Sequence, residues 1–328
     1  MSVVIPTYNR PHYLPAAVDS VLAQTFTDFE VIVVDDGSPC DVSAVLANIA
    51  DPRVRIVRQP NRGLAAALNT GVALSRGRFW ARLDDDDLWM PEMLAATVHA
   101  LEERPDVAMV YAKSRAITAS GQLRPEIFGS RGEVPDDPLA SILAYCCIGH
   151  HTTLTRRECF ARTGLFDEAL PSCEDWDMWL RVARAFNIAF IDRVLTLYRL
   201  HPNSMTSPSG AGYGRHLDGH LAVLEKFFAD DSLRPSERGL QPRALRNVHT
   251  EICLRAWASG NHARARQALV AAMNSGANPW IAAMRLAWFA LDLFALRSIP
   301  GLARLRPTLT SARQRLRDRR FAAHVGRS

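Results

Sequence analysis

The sequence predicts an α/β fold with a mostly parallel mixed sheet flanked by helices, followed by a C-terminal helical extension. Strand-like apolar runs alternate with helical patterns through the first 112 residues. Acidic clusters follow two of those runs directly, and the pattern beyond residue 213 is helical. Strands that alternate with helices form parallel sheets covered on both faces, and ligands bind at the carboxyl ends of the strands. We therefore expect both acidic clusters to face one cleft.

Apolar periodicity assigns the elements of the first 112 residues. The predicted strands are 2–6, 30–34, 54–57, 79–83 and 107–111. The predicted helices are 14–24, 42–49, 64–74 and one opened by Pro91. Proline favours the first turn of a helix because its missing N–H is not needed there.

The later elements are less regular. Residues 122–138 are rich in Gly, Pro and charge and are predicted to form a loop. A helix is expected over 174–186, two short strands within 188–200, and a hinge over 202–214. Small residues around 257–273 predict a pair of helices joined by a turn.

The positive charge of the chain is concentrated near its C-terminal end. The formal net charge is +5, and residues 301–328 contain eight Arg and one Asp, so the other 300 residues carry −2. Such a basic segment can bind an acidic membrane surface or nucleic acid. A solvated C-terminal helix is the alternative interpretation of the same pattern. We expect no nucleic-acid partner, and peripheral membrane association through the 280–296 stretch and the 304–320 tail.

Two further features point to the cytoplasm. Six Cys without a C-x-x-C pair suggest free thiols in a reducing compartment. The first apolar run is only strand-long, and no run approaches the roughly 18 apolar residues that a membrane span needs. We expect a cytoplasmic protein, peripheral at the inner face of the cell membrane.

The two acidic clusters are the first candidate functional groups. Asp84 to Asp87 end an apolar strand, and a hard divalent cation would offset the repulsion among their carboxylates. A solvated acidic turn is the alternative. Asp35 and Asp36 end another strand, where a carboxylate can accept from a nucleobase N–H or a ribose hydroxyl. An Asp-Gly turn capped by Asp36 explains that cluster equally well.

Two later groups are ambiguous on their own. Acidic residues 174, 175 and 177 enter a predicted helix, where they also suit the helix dipole, and we assign Asp177 to that structural role. Glu174 and Asp175 are expected to point about 100° apart, so that only one faces the cleft. His201 follows a predicted strand, and an isolated histidine is more often structural than a ligand.

Taken in order, these segments resemble the family 2 glycosyltransferases, which have the GT-A fold. The resemblance covers about residues 2–205 and is specific as an ordered set, although each motif alone is weak. The matching segments are Ser2-Val-Val-Ile-Pro-Thr-Tyr-Asn-Arg10, 20–30 with Val-Val-Asp-Asp-Gly-Ser38, Asn61-Arg-Gly, Leu68-Asn-Thr-Gly71, the D-x-D-like 83–91, 164–168, Glu174-Asp175, and Tyr198-Arg-Leu-His-Pro-Asn-Ser204.

The resemblance implies an inverting single displacement with Mn²⁺ or Mg²⁺. It implies Asp175 as the general base, with Asp86 and His201 as metal ligands. The donor-binding residues it implies are Pro6, Thr7, Tyr8, Arg10, Asp36, Asn69, Asp84 and Asp85. The residues it places on the acceptor side are Gly149, His150, Glu174 and Trp176.

The resemblance also implies a domain plan and partners. Residues 1–212 would form the GT-A domain, with 1–112 binding the nucleotide and 113–212 the acceptor, and 213–328 would form the extension. The donor would be a nucleotide sugar, by family default a UDP-sugar, and the acceptor a glycan or lipid-linked glycan. Many relatives carry Arg where this chain has Leu68, so Arg62 or Arg82 would replace that diphosphate contact.

Two other functions are compatible with parts of this sequence pattern. A metal-dependent nucleotidyltransferase would need a Gly-rich phosphate loop after the first strand, and Pro6 to Arg10 contains no Gly. A non-catalytic protein that binds sugar nucleotides would not need both Asp86 and Asp175.

Overall fold

The structure is a computed structural model that describes residues 1–129, 137–144, 148–207 and 213–276. Its strands are β1 Ser2–Thr7, β2 Glu30–Asp35, β3 Val54–Arg58, β4 Phe79–Arg82, β5 Leu88–Trp89, β6 Val107–Thr118, β7 Leu123–Phe128, β8 Thr153–Arg156 and β9 Asn187–Leu200. Its helices are α1 Leu14–Leu22, α2 Val42–Val45, α3 Leu64–Leu74, α4 Met93–Glu102, α5 Pro138–Ala144, α6 Cys159–Thr163, α7 Glu174–Ala185, α8 Tyr213–Phe228, α9 Pro235–Arg238, α10 Gln241–Ala258 and α11 His262–Asn274.

The chain folds into two compact units. The first contains Met1–Ile142 and Cys146–His201, and the second contains Leu143–Tyr145 and the residues from Pro202 onward. The division into a 1–212 domain and a 213–328 extension stays a prediction.

The first unit is built around one mixed sheet in the order β3-β2-β1-β4-β8-β6-β9-β5, with β7 beside β6. Strands β3, β2, β1 and β4 run parallel to one another, and β9 runs parallel to β6. The pairs formed by β4 with β8, β6 with β8, β6 with β7 and β5 with β9 are antiparallel. The predicted α/β class is confirmed, and its parallel part is concentrated in the first four strands of the chain.

The core explains why the first strand is apolar throughout. Val3 and Ile5 pack in the buried cluster that also contains Leu14 and Val18 of α1. On the opposite face, Val4 meets α3 at Gly71, where an added Cβ would lie 2.4 Å from Val4 Cγ1. Because β1 is covered on both faces, its side chains do not alternate between apolar and polar.

Four element predictions need correction. Helix α4 begins at Met93 after Pro91, whose carbonyl accepts a hydrogen bond from the Thr25 N–H. The predicted 122–138 loop contains strand β7, and 188–200 lies within one strand that is 14 residues long. Strand β9 stays continuous because shifts in its register with β6 absorb the irregularity. Helix α2 is four residues long and ends before residue 49.

The second unit is helical over the residues that the structure describes. Helices α10 and α11 form the predicted pair joined by a turn, and Asn261 caps α11 by accepting from the Arg264 N–H. Buried Ala256, Ala265 and Ala268 are small residues of this pair. Residues 280–296 and the basic tail lie outside the described part of the chain. None of the described helices is both long enough and apolar enough to cross a bilayer.

Candidate active site

Thr7 joins the two acidic clusters at the carboxyl edge of the parallel strands. Its hydroxyl donates to Asp85 Oδ2 at 2.6 Å, and its carbonyl accepts from the Asp36 N–H at 3.0 Å. Strand β1 lies between β2 and β4, which precede the two clusters. Both clusters therefore lie at one edge of the sheet, and the expectation that they face one cleft stays a prediction.

Asp36 closes the loop of residues 59–63. Its Oδ1 accepts from Gln59 Nε2 and the Arg62 N–H, both at 2.9 Å, and its Oδ2 accepts from the Gly63 N–H at 2.8 Å. The side chain is buried. In this structure both carboxylate oxygens of Asp36 accept hydrogen bonds from this loop. A contact between Asp36 and a nucleoside stays a prediction. Tyr8 is half exposed and is accessible to a base.

Asp84 is half-buried and is contacted by two basic side chains. Arg82 Nε donates to Asp84 Oδ1 at 2.7 Å, and His150 Nε2 lies 2.7 Å from Asp84 Oδ2. Burial opposes ionisation of this carboxyl. The charges of Arg82 and His150 outweigh burial and hold the pKa of Asp84 well below its usual range.

Both acidic residues that begin α7 reach Asp84 through a cation. Arg82 Nη1 donates to Glu174 Oε1 at 2.9 Å, and His150 Nδ1 lies 3.1 Å from Asp175 Oδ2. The expectation that only one of Glu174 and Asp175 faces the cleft stays a prediction. The two side chains diverge. Arg82 contacts Glu174 and His150 contacts Asp175, and both of these basic residues also contact Asp84.

The electrostatics divide the roles of these groups. Burial opposes a charged His150, but the carboxylates of Asp84 and Asp175 outweigh it and raise the pKa of His150 to about 10. Burial is the largest single effect on Asp175 and would raise its pKa, but the hydrogen bond and charge of His150, together with Arg82 and the Trp176 N–H, outweigh burial and lower that pKa to about 2. Burial raises the pKa of Glu174. At neutral pH, Asp175 is therefore an ionised carboxylate.

The remaining aspartates form an oxygen-rich cluster that suits a divalent cation. One carboxylate oxygen each from Asp84, Asp86 and Asp87 lies within 4.8 Å of the others. Burial raises the pKa of Asp87 well above its usual range, and its Oδ2 accepts no hydrogen bond from the described residues. A buried carboxylate oxygen without a donor fits a hard cation such as Mg²⁺ or Mn²⁺, which prefers oxygen ligands.

Two basic side chains meet Asp86 at this cluster. His201 Nε2 lies 2.9 Å from Asp86 Oδ2, and Arg10 Nη1 contacts the same oxygen and also Asp85 Oδ1 at 3.1 Å. Burial and the charge of Asp86 outweigh the opposing effect of Arg10 and raise the pKa of Asp85 to about 7. His201 is thus placed beside the predicted ligand Asp86.

Arg199 contacts the acidic turn, and its role was not predicted from the sequence. Its N–H donates to Asp87 Oδ1 at 2.8 Å, and its Nε donates to the Asp86 carbonyl at 2.7 Å. The guanidinium lies over the Tyr13 ring, which packs against His201. Arg199 therefore holds the acidic turn and the histidine together, and its position two residues before His201 was the only signal in the sequence.

Several predicted site residues are engaged elsewhere. Trp176 is 1% exposed and its indole N–H donates to the Ile142 carbonyl, so a direct acceptor contact is not open to it in this structure. The Asn69 amide bonds the backbone of Phe166 at both ends. Arg82 is buried between Asp84 and Glu174 instead of free for a diphosphate, and Arg62 pairs with Glu168.

Pro6 and Gly149 contribute through the backbone. Pro6 lies in β1 directly before Thr7 and is buried. Gly149 precedes the short helical turn His150–Thr152, and a Cβ there would lie 2.9 Å from His151 Cε1. Gly149 thus lets the turn approach His151 closely, which places His150 in the site.

An α/β sheet with an acidic, cation-compatible turn at its carboxyl edge is the arrangement expected of nucleotide-sugar transferases. The model described as Glycosyl transferase family 2 matches residues 2–158. The uncharacterized glycosyltransferase RP339 of Rickettsia prowazekii (strain Madrid E) is 30% identical over 241 residues, which cover 71% of this chain and 74% of that protein. The chain belongs to the family 2 glycosyltransferases.

Other similarities agree with this family. Chondroitin synthase of Escherichia coli is 31% identical over 205 residues, covering 61% of this chain and 29% of the synthase. The mannosyltransferase PcManGT from Pyrobaculum calidifontis, solved with GDP-Man and Mn²⁺, superimposes with a TM-score of 0.59 at 22% identity, covering 90% of this chain and 80% of that one. The predicted GT-A fold is confirmed. The chain spans between 29% and 34% of the length of several relatives.

Proposed function

We propose that the chain transfers a sugar from a nucleotide-diphosphate sugar to a hydroxyl group of a glycan acceptor, with inversion at the anomeric carbon. The observation that carries this proposal is the link from Asp84 through His150 to Asp175. It places an ionised carboxylate one imidazole ring away from the acidic cluster. A base and a charge-stabilising cluster side by side are what a single displacement needs.

Asp175 acts as the general base in this mechanism. It accepts the proton of the attacking hydroxyl as the new glycosidic bond forms and the bond to the nucleoside diphosphate breaks. Its side chain is 17% exposed, so an acceptor oxygen can approach the carboxylate. Glu174 is less exposed and held by Arg82, which makes it a structural partner.

Asp84, Asp86, Asp87 and His201 would hold the cation. Mg²⁺ or Mn²⁺ bound there would stabilise the negative charge that develops on the leaving diphosphate. Support comes from the cluster geometry and from the unbonded Asp87 Oδ2. Arg10 neutralises Asp85 and Asp86 in this structure and would lie next to the diphosphate.

The donor and acceptor are proposed at the level of class. Asp36 and Tyr8 would contact the nucleoside. The family resemblance favours a UDP-sugar, whereas the structurally similar PcManGT was solved with GDP-Man. Similarity to a chondroitin synthase supports a polysaccharide acceptor, and hence a role in polysaccharide or cell-envelope biosynthesis, over a lipid-linked glycan.

Thermal-shift measurements with UDP-, GDP- and dTDP-linked hexoses, each with and without Mn²⁺, test the proposal. We expect one nucleotide class to raise the Tm only when Mn²⁺ is present, because a ligand that binds the folded state stabilises it. The variant Asp86→Asn should abolish that rise, and Asp231→Asn, at a fully exposed carboxylate, should preserve it. A rise that Asp86→Asn leaves intact would refute the metal assignment.

A further inference from the structure

We infer that His150 is a positioning residue that holds Asp175 in the orientation needed for proton transfer, through a fixed bridge to Asp84. The inference rests on the proposed function, because it concerns how the proposed base is kept in place. It goes further by assigning a role in the reaction to a residue outside the acidic motifs.

The His150 ring contacts both carboxylates directly. His150 Nε2 lies 2.7 Å from Asp84 Oδ2 and His150 Nδ1 lies 3.1 Å from Asp175 Oδ2. The contact of Nδ1 with Asp175 is a hydrogen bond, whereas Nε2 meets Asp84 at ion-pair distance without hydrogen-bond geometry. Because the imidazole ring is rigid, it sets the spacing between the two carboxylates.

The backbone turn that carries His150 is also fixed, and the His150 ring packs against a neighbour. The His150 carbonyl accepts from the Thr153 hydroxyl at 2.8 Å, and Thr152 holds the turn by donating to the Gly149 carbonyl at 2.7 Å. The His150 ring packs edge-on against His151, whose ring stacks on Tyr198. A side chain held on all these sides is a reference point against which Asp175 can be oriented.

Asp175 itself has few hydrogen-bond partners among the described residues. Its Oδ1 accepts from the Trp176 N–H at 2.8 Å, and its Oδ2 meets His150. Loss of His150 would leave one local backbone bond to orient the carboxylate. Asp175 lies in the first turn of α7, where a short side chain with one partner can rotate.

Two substitutions separate the halves of the bridge. The amide of His150→Asn can replace Nδ1 and keep the hydrogen bond to Asp175, whereas the longer His150→Gln reaches the position of Nε2 and keeps only a contact with Asp84. Turnover is measured as nucleoside diphosphate release, using the UDP-, GDP- or dTDP-linked hexose that raises the Tm most with Mn²⁺. His99→Gln, at an exposed histidine on α4, is the matched control.

We expect His150→Gln to lower kcat about 10²-fold, since misplacement of a catalytic group by about 1 Å has that effect. His150→Asn should lose less, and donor Kd should stay unchanged in both variants. Adding His150→Gln to Asp175→Asn should cause no further loss, because His150 acts through Asp175. A purely structural role would instead lower Tm and give losses that add.

Contrary outcomes have distinct meanings. Equal losses in the Asn and Gln variants, additive losses in the double variant, or wild-type turnover in His150→Gln would overturn the inference while the proposed base stands. If Asp175→Asn keeps wild-type turnover, or no nucleotide sugar binds the wild type, the proposed function fails and the inference fails with it.

Discussion

Arg82 and His150 are the residues that make the acidic site stable. Each is a cation enclosed by carboxylates: Arg82 by Asp84 and Glu174, and His150 by Asp84 and Asp175. An unpaired buried carboxylate costs several kcal/mol, and a paired one much less. The arrangement keeps Asp84 and Asp175 ionised in a site that excludes most water.

The pH dependence of stability should report the His150 pairing. The pKa of His150 is raised from 6.5 to about 10, so the charged imidazole binds its proton more tightly in the folded state than in the unfolded state. The stability this contributes is complete below pH 6.5 and is lost as pH rises through about 10. In EDTA-containing buffer, the wild-type Tm should fall more steeply between pH 7 and 10 than that of His150→Gln. Parallel curves would contradict the pairing.

At this scale the sequence predicted the acids but not their partners. Asp36, Asp84, Asp86 and Asp175 stand in motifs at strand or helix ends, where local spacing is informative. Arg82 and Glu174 are 92 positions apart, so only the tertiary fold could show that they meet.

Close packing of α3 on β1 positions the strand that carries Thr7. A Cβ at Gly71 would lie 2.4 Å and 2.8 Å from the two Cγ atoms of Val4. Val4 is fully buried and cannot move without displacing its neighbours.

We expect Gly71→Ala to destabilise the protein by about 1–3 kcal/mol, as overpacking of a filled core does. Gly214→Ala is the matched control. That residue lies in α8 with nothing within 4 Å of the added methyl group, and alanine favours a helix there. Chemical denaturation of both variants measures the difference. A Gly71→Ala variant as stable as wild type would show that α3 does not pack as described.

The elements that the sequence predicted well are those buried on both faces. Strands β1, β2 and β4 lie in the sheet interior, and their apolar runs marked them clearly, whereas β3 is an edge strand with half-buried side chains. Strand β7 pairs only with β6, and its side chains are exposed or half-buried. An edge strand needs no apolar pattern and tolerates Pro125, so its sequence is typical of a loop.

At the scale of the whole molecule, the net charge of the C-terminal tail differs in sign from that of the remaining residues. The basic tail carries +7 over residues 301–328, and the other 300 residues carry −2. We predict that this segment and residues 280–296 hold the enzyme at an anionic membrane surface. Each basic residue near such a surface contributes about 1 kcal/mol.

Vesicle co-sedimentation tests this prediction. Binding to phosphatidylglycerol vesicles should weaken with salt and with Arg→Gln changes at Arg304, Arg306, Arg313, Arg315 and Arg317, while phosphatidylcholine vesicles bind weakly throughout. Binding that is indifferent to salt and to these changes would reject it. Turnover in solution should be unaffected, because the site lies within the first unit.

At the same scale, the order of the motifs along the chain predicted the fold. Each motif matches the family only weakly. Together the motifs occur in the family's order along the chain, from β1 to His201 after β9. The second unit carries no comparable motif over the described residues. Its periodicity therefore predicted that it is helical but did not predict a function for it.

The kinetics of Asp175→Asn test the central claim most directly, with Glu174→Gln as the comparison. Asn keeps the size of Asp and can still bond, but it cannot take the proton. We predict a fall in kcat of about 10²–10⁴-fold with the Kd for donor plus Mn²⁺ unchanged, and a milder effect of Glu174→Gln. Near wild-type turnover of Asp175→Asn with a donor that binds, or equal losses in both variants that follow their Tm, would contradict the assignment of Asp175 as the base.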